Sequence, residues 1–240
     1  MLPPMKEYLS ITHEEFFSLL LSKSNGDLST LTPEIINEAM QPFICYGFDL
    51  PEEIQLEQNI EKEFGILHDK PLTNIKKFLE YMEKINFIFK QYSPCKKGCS
   101  KCCFIPVFVS SLEVSLIDEY LITNGYNSKY RRKEKTINDL LSKDKDKYFG
   151  EEFNGMKCPF LKNNECIIYN VRPYVCRKYI TFENNNKKCG YKTAKISLFT
   201  SVTTEKTYEN IIKYYYLTKN PTSTSKDVLF GDIREYFCEG

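Results

Sequence analysis

Cys95-Lys-Lys-Gly-Cys99-Ser-Lys-Cys102-Cys103 is the stretch that decides the fold, because it places four thiols close together in the chain. A single buried free cysteine is common in an apolar core, but the residues between these cysteines are lysine, glycine and serine. If the segment is helical, a step of about 100° per residue places all four thiols on one face. If Gly98 breaks the helix, the run becomes a tight loop of thiols. Both geometries predict the first half of a metal site.

Four cysteines further along the chain indicate the second half of the site. They are Cys158, Cys166, Cys176 and Cys189. Their spacings are too irregular for one helix face, so loops have to bring them together. Pro159, Pro173 and Gly190 lie beside them and favour turns. The spacing of this half is weak evidence alone, and its combination with the first half predicts a metal site built from eight thiols.

The order of these motifs resembles that of the YkgJ-type cysteine-cluster family, whose domain is described as zinc- or iron-chelating. The family pattern is C-x3-C-x2-C-C, then a cysteine before Phe-Leu, then C-x-I-Y, Arg-Pro and Cys-Arg. These motifs stand here as Cys95, Cys99, Cys102 and Cys103; Cys158 with Phe160-Leu161; Cys166 with Tyr169; Arg172-Pro173; and Cys176-Arg177. The resemblance covers residues 92 to 190 and implies that these cysteines bind metal, with Cys189 matching most loosely.

The identity of the metal is left open by the residue types. Soft thiolates suit both zinc and iron-sulfur clusters. A longer relative, the flagellin lysine methylase, is similar in its cysteine pattern and is associated with an iron-sulfur centre, so the resemblance favours a cluster over zinc. Eight thiols could form two zinc sites, or one four-cysteine cluster and a separate site. The adjacent pair Cys102-Cys103 would then share one centre or face two.

Cationic side chains accompany the cysteines and can offset the negative charge of a thiolate centre. Residues 95–103 contain three lysines and no acidic residue. The cations of the second half are Arg172, Arg177, Lys178, Lys187 and Lys188. We expect Arg172 and Arg177 to support the bound cofactor from beside its ligands rather than to act in catalysis. For Lys187 and Lys188 a solvated basic surface fits equally well.

Composition and charge argue against several other classes of protein. A net charge of +1 over 240 residues gives no support for nucleic-acid binding. Ten cysteines can indicate a secreted disulfide scaffold, but such chains are usually short and begin with a signal peptide. The stretch Met1–Tyr8 lacks an apolar core of that kind, and no apolar run is long enough to span a membrane. We therefore expect a cytoplasmic protein whose thiols are reduced and available to metal.

The spacing of Cys95, Cys99 and Cys102 also matches that of the radical S-adenosylmethionine enzymes. Those enzymes usually have an aromatic residue before the third cysteine, where this chain has Lys101. They also need a β/α barrel after the motif, but the residues after Cys103 do not alternate between strand and helix. The sequence therefore argues against this class.

The rest of the chain predicts a mainly α fold, or α+β with little sheet, in which a helical frame surrounds an irregular cysteine-rich metal-binding centre. Helices are expected after the capping box Thr12-His-Glu-Glu15, from Pro33, and over Leu72–Tyr92, Ser110–Gly125, Thr207–Leu217 and Lys226–Phe237. Strands are expected over Phe104–Val109 and Lys195–Thr203, and a surface helix or mobile connection over Asn127–Lys147. We divide the chain into an N-terminal helical region (1–91), the cysteine-cluster domain (92–190) and a C-terminal region packing on the same core (191–240).

Two classes of function remain. In the first, the protein is a metal-binding module; in the second, it is a protein-modifying enzyme of the lysine N-methylase type, with a protein substrate. The absence of a recognisable methyl-donor motif favours the binding class, and binding of S-adenosylmethionine by the metal-loaded protein would distinguish the two. We expect surface or capping roles for His13 and His68, and partly buried free thiols at Cys45 and Cys238.

Overall fold

The computed structural model describes most of the chain, including every cysteine of the predicted site. The described residues are 6–9, 13–40, 44–47, 51–126, 130–132, 151–181, 189, 197–198, 202–219 and 230–239. No helix within these ranges is long and apolar enough to cross a membrane.

Helices form the frame of the described structure. They are α1 (His13–Lys23), α2 (Pro33–Met40), α3 (Pro51–Phe64), α4 (Pro71–Lys90), α5 (Ser111–Thr123), α6 (Tyr174–Lys178), α7 (Val202–Lys219) and α8 (Ile233–Tyr236). Short 3-10 turns occur at Leu28–Thr30, Lys101–Phe104, Glu151–Phe153 and Tyr169–Val171. The predicted mainly α character is confirmed.

The strands are short and form small sheets. They are β1 (Lys6–Leu9), β2 (Ile44–Gly47), β3 (Phe108–Ser110), β4 (Tyr130–Arg132), β5 (Leu161–Lys162), β6 (Glu165–Cys166), β7 (Tyr179–Ile180), β8 (Ser197–Leu198), β9 (Phe230–Asp232) and β10 (Phe237–Glu239). One sheet has the order β1-β2-β8-β7, in which only β2 and β8 run parallel, with Cys45 opposite Leu198. The pairs β3–β9, β4–β10 and β5–β6 are antiparallel.

Local signals in the sequence set the starts of the main helices. Pro33 and Pro71 occupy the first helical position, where a missing N–H costs nothing. At α5 the predicted capping box is confirmed: the Ser110 side chain accepts from the Glu113 backbone N–H, and the Glu113 carboxylate accepts from the Ser110 N–H. The first predicted capping residue, Thr12, lies outside the described residues, and α1 begins immediately after it.

Three predicted elements are wrong in extent or type. The strand expected over Phe104–Val109 begins only at Phe108, because the preceding residues form a 3-10 turn. The strand expected over Lys195–Thr203 is described only at β8, and α7 already begins at Val202. Within the predicted helix Lys226–Phe237, the described residues form β9, the four-residue α8 and the start of β10.

The reason for the last difference is pairing that is distant in sequence. Strand β9 pairs with β3, and β10 pairs with β4. Strand β4 is the only part of the predicted surface segment Asn127–Lys147 that lies within the described residues. Helix α3 was not among the predicted elements.

Two hydrophobic cores meet at the cysteine-rich region. The first is built around α4, whose apolar residues recur at helical spacing and face α3, α5, α6 and α7. The second joins β3 and the other face of α5 to the segment 158–168 and to α8 and β10. Cys95 packs on the first core, whereas Cys103, Cys158, Cys166 and Cys176 belong to the second. The predicted metal centre therefore lies where the two cores adjoin.

Candidate metal centre

Seven of the eight predicted metal-binding cysteines line a single cavity of about 120 Å³. They are Cys95, Cys99, Cys102, Cys103, Cys158, Cys166 and Cys176. The fold thus brings together thiols from both halves of the sequence motif. None of the nine cysteines whose side chains the structure describes forms a disulfide.

The first cysteines lie in a loop that follows α4. Gly98 has a φ of +88°, a left-handed conformation that favours glycine, and the Cys99 N–H donates to the Lys96 carbonyl at 3.0 Å. The chain therefore turns sharply between Cys95 and Cys99. Of the two geometries that the sequence allowed, the structure has the tight loop and not the continuous helix.

The adjacent cysteines Cys102 and Cys103 lie in the 3-10 turn Lys101–Phe104. The Cys103 thiol donates a hydrogen bond to the sulfur of Cys102, which lowers the pKa of Cys102 and raises that of Cys103. Cys102 is thus the thiol in this pair that loses its proton first, and a thiolate is the form that binds metal.

Main-chain hydrogen bonds join the two halves of the motif directly. The Cys158 N–H donates to the Cys103 carbonyl at 2.8 Å, and the Gly155 N–H donates to the Phe104 carbonyl at 2.7 Å. Residues 104–157 lie between the two cysteines in sequence. The contact therefore fixes the position of the second half against the 3-10 turn of the first.

Cys166 is positioned by a two-residue hairpin. Strands β5 and β6 are connected by Asn163 and Asn164, both with positive φ, which is the conformation of the tight turns that connect antiparallel strands. The register places Cys166 opposite Leu161, whose side chain is buried in the second core. Asparagine tolerates this conformation better than most residues, so the Asn-Asn pair fixes where the thiol lies.

Cys176 is positioned by the short helix α6, whose start is held by α5. The Tyr174 N–H at this start donates to Oε1 of Glu113 at 2.7 Å. The other carboxylate oxygen of Glu113 accepts from the Tyr208 hydroxyl at 2.6 Å. The same glutamate that caps α5 therefore connects α5, α6 and α7 beside the cavity.

Cys189 is described in the structure but does not line the cavity. It is close enough to Cys95, Cys99 and Cys102 for their charges to add to the effect of burial, which raises its pKa to about 11. Cys95 in turn accepts a hydrogen bond from the Thr181 N–H at 3.5 Å. Cys189 therefore belongs with the first cysteines rather than with Cys158 and its neighbours.

The charged residues that line the cavity within the described part of the chain are all cations. They are Lys90, Lys96, Arg172 and Arg177. Both arginines form ion pairs with Glu83 on α4, and the Arg177 side chain is only 1% exposed. Burial and the charge of Arg172 lower the pKa of Arg177 to about 10, so it stays cationic at neutral pH. These cations can offset the negative charge that the cysteines carry as thiolates.

Burial is the main influence on the thiols of the second half. It raises the pKa of Cys158 to about 12, and it raises those of Cys166 and Cys176 from the ordinary value of 9.0. Neighbouring thiolates add to this effect, whereas the charge of Arg172 opposes it at Cys166 and Cys176. These thiols thus hold their protons firmly until a cation replaces them.

The thiols surround the cavity without converging on one point. Across the described ranges, no three Cys, His, Asp or Glu side chains have the arrangement needed to hold a single metal ion. The donor set itself suits a soft metal, since it consists of thiols with cations beside them and contains no carboxylate or imidazole.

Other residues predicted to lie away from the centre do so where the structure describes them. His68 is exposed, its Nε2 lies 3.4 Å from Lys77 Nζ, and Cys238 is a partly buried cysteine on β10. The side chains of His13 and Cys45 and the whole of Lys187 and Lys188 lie outside the described residues.

Sequence reasoning did not identify Glu83 or Asn86, both on α4. Glu83 pairs with both cavity arginines, and Asn86 lines the cavity although it lies before the first cysteine. Asn86 has a detectable signal, because it interrupts the apolar face formed by Met82, Ile85 and Phe89.

Comparison with known families identifies the same segment of the chain. Residues 94–196 match the CxxCxxCC family model, which is described as a "putative zinc- or iron-chelating domain". The chain has no match among curated proteins or solved structures. The predicted resemblance to a cysteine-cluster family, given for residues 92 to 190, is thereby confirmed.

Proposed function

We propose that this protein binds an iron-sulfur cluster through its clustered cysteines, since residues 94–196 match the model of a family described as zinc- or iron-chelating. The ligands would come from the eight predicted cysteines, with Arg172 and Arg177 compensating their charge. A bound cluster would supply one-electron redox chemistry at this position.

The observation that carries the proposal is the composition of the cavity wall. Seven thiols share this wall with four cations, and no carboxylate lines it among the described residues. Calcium and magnesium sites are built from oxygen ligands, so this wall does not suit them. Thiolate ligands give a centre a negative charge, which the lysines and arginines offset.

The number and spacing of the thiols support a cluster over a single zinc ion. A structural zinc ion takes four ligands at about 2.3 Å from sulfur, so its four thiolates have to lie close together. Here seven thiols, more than one zinc ion can bind, surround one cavity. A cluster of several metal and sulfide atoms spans a larger space between its cysteines.

The electrostatic contacts divide the thiols into two groups. The charges of Cys99 and Cys102 act on Cys95, and those of Cys95, Cys99 and Cys102 act on Cys189. Each thiol of the second set, which is Cys103, Cys158, Cys166 and Cys176, is influenced by other members of that set or by Cys102. The adjacent pair Cys102-Cys103 lies at the boundary. We assign Cys102 to the first group, so that each group has four thiols and can hold a centre of its own.

Anaerobic purification followed by metal and sulfide analysis tests the proposal. We expect a brown protein that contains iron and acid-labile sulfide in similar amounts and loses its absorbance when oxidised or treated with an iron chelator. A colourless protein that contains stoichiometric zinc and no sulfide after anaerobic handling would contradict it. If the protein is equally stable without metal and all eight of its thiols are freely reactive, metal binding itself is contradicted.

A further inference from the structure

Asn86 is a buried polar residue on α4 whose side-chain nitrogen has no acceptor. The residue is 4% exposed and lines the cysteine cavity. Its Nδ2 has no hydrogen-bond partner among the residues that the structure describes. A buried donor without an acceptor costs about 1–3 kcal/mol, so such groups in proteins usually have a partner.

A second unpartnered donor lies on the same wall. The Nε of Arg172 is buried and also has no hydrogen-bond partner among the described residues, although the other end of its guanidinium pairs with Glu83. Two buried donors without an acceptor among the described residues, both on side chains that line one cavity, point to a bound group that accepts hydrogen bonds.

The chemistry of the wall identifies the acceptor. The charged side chains that line it are cations, and lysine and arginine only donate hydrogen bonds. Among the groups that line the wall, the cysteine sulfurs become anionic when they bind metal, and as thiolates they accept hydrogen bonds. A cluster adds sulfide atoms, which are acceptors as well.

We infer that Asn86 is a positioning residue of the metal centre and that its Nδ2 donates a hydrogen bond to a cysteine or sulfide sulfur of the bound cluster. This inference rests on the proposed function. Hydrogen bonds to sulfur are among the factors that set the reduction potential of a cluster. Because reduction adds negative charge to the cluster, a donor stabilises the reduced form more than the oxidised form and raises the potential.

The test compares two buried asparagines on the same helix. Asn86→Leu removes the unpartnered donor and keeps a branched side chain. Asn74→Leu is the matched control: Asn74 is 1% exposed but fully paired, since its Nδ2 donates to the His68 carbonyl at 2.9 Å and its Oδ1 accepts from the His68 N–H at 3.0 Å. Asn86→Ala removes the donor without adding volume, in case leucine does not fit.

The measurements are a mediated redox titration of anaerobically purified protein and urea unfolding of the metal-free protein. Removal of a hydrogen bond to the centre should lower the equilibrium ratio of reduced to oxidised cluster about tenfold. An effect of this size is typical of groups beside metal ligands. This corresponds to a potential about 59 mV lower for a one-electron couple. Asn86→Leu and Asn86→Ala should both lower the potential, with little loss of metal-free stability. Asn74→Leu should lower stability and leave the potential unchanged.

Three outcomes would overturn the inference. If the cluster is intact in both Asn86 variants and its potential equals that of wild type, Asn86 makes no contact with the centre and the proposed function stands. If Asn86→Leu lowers metal-free stability as much as Asn74→Leu and leaves the potential unchanged, Asn86 is structural only. A wild-type protein without iron and sulfide overturns the proposed function and this inference together.

Discussion

The guanidinium of Arg234 donates a hydrogen bond to the main-chain carbonyl of Cys103 at 3.2 Å, although the two residues lie at opposite ends of the cysteine-rich half of the chain. The same guanidinium also donates to the carbonyls of Ile105 at 3.1 Å and Met156 at 2.7 Å. Its charge is balanced by Asp232, which is 1% exposed and accepts from Arg234 at 2.9 Å. Arg234 therefore fastens the Cys102-Cys103 turn to the segment that leads into Cys158.

Arg234→Lys should lower both the metal content of the purified protein and its free energy of unfolding. Lysine keeps the charge, but it cannot replace the planar fork that reaches three carbonyls and Asp232 at once. Because the lost partners are buried, we expect a loss of about 2–4 kcal/mol in unfolding free energy. Urea unfolding and metal analysis check this prediction.

Lys213→Arg, at an exposed pair with Glu209, is the control and should leave both quantities unchanged. Wild-type stability in Arg234→Lys would show that the carbonyl contacts are dispensable.

Arg172→Ala should lower metal affinity by about 10- to 100-fold, the range typical of groups that support metal ligands. Its side chain is 11% exposed, stacks 4.0 Å from the Tyr169 ring and pairs with Glu83. Competition with a chelator measures the change in affinity. Lys76→Ala, which removes a 46% exposed partner of Glu119, is the control and should have no effect on the metal. Full metal retention in Arg172→Ala, with loss of an activity, would instead assign Arg172 to substrate binding.

Local chemistry made much of the cysteine region predictable. The turn at Gly98 is one of the two geometries predicted for the first cysteine run, and α4 and α5 begin within one residue of the predicted Leu72 and Ser110. These features depend on residues close together in sequence. The hairpin turn at Asn163-Asn164 carries the same kind of signal, and it could have been predicted from the preference of such turns for asparagine.

Contacts between distant segments could not be predicted in this way. The sequence predicts a helix over Lys226–Phe237, but the residues of β9, α8 and β10 have β3, β4 and the carbonyls held by Arg234 as their partners. Nothing local to these residues specifies such partners. The same limit applies to Glu83, since its role depends on Arg172 and Arg177, which follow it by 89 and 94 residues in the sequence.

Single cysteine substitutions should separate the two proposed thiol groups. Cys189→Ser removes a ligand of the first group, and Cys158→Ser removes one of the second. If each group holds its own centre, each variant should lose part of its metal and retain the rest. Iron, zinc and sulfide analysis of the purified variants measures this directly.

Cys238→Ser is the matched control for these substitutions, because Cys238 is a partly buried cysteine that does not line the cavity. It should retain the metal content of wild type. Complete loss of metal from both Cys189→Ser and Cys158→Ser would mean that the thiols form one centre. Full retention in Cys189→Ser would exclude Cys189 as a ligand.

Metal uptake should release protons, and its affinity should rise with pH. Burial raises the pKa of Cys158 to about 12 and that of Cys189 to about 11, so both thiols are protonated in the metal-free protein at neutral pH. Each protonated thiol that becomes a ligand releases one proton, which adds about a tenfold gain in affinity per pH unit. Calorimetric titration of Zn²⁺ into metal-free protein, in buffers of different ionisation enthalpy, counts these protons. Uptake without proton release would mean that the buried thiols are not ligands.

The unfolding free energy of the metal-free protein should fall as the pH rises, whereas the metal affinity should increase. The pKa of the Cys158 thiol is higher in the folded protein than in the unfolded chain. Such a thiol stabilises the fold at a pH below its ordinary pKa of 9.0, where it is protonated in both states. That contribution is lost as the pH rises from about 9 towards about 12, because the unfolded chain ionises first. Urea unfolding of the metal-free protein should therefore give a lower midpoint at about pH 10 than at about pH 8. Cys158→Ser should reduce this difference, since serine does not ionise in this range.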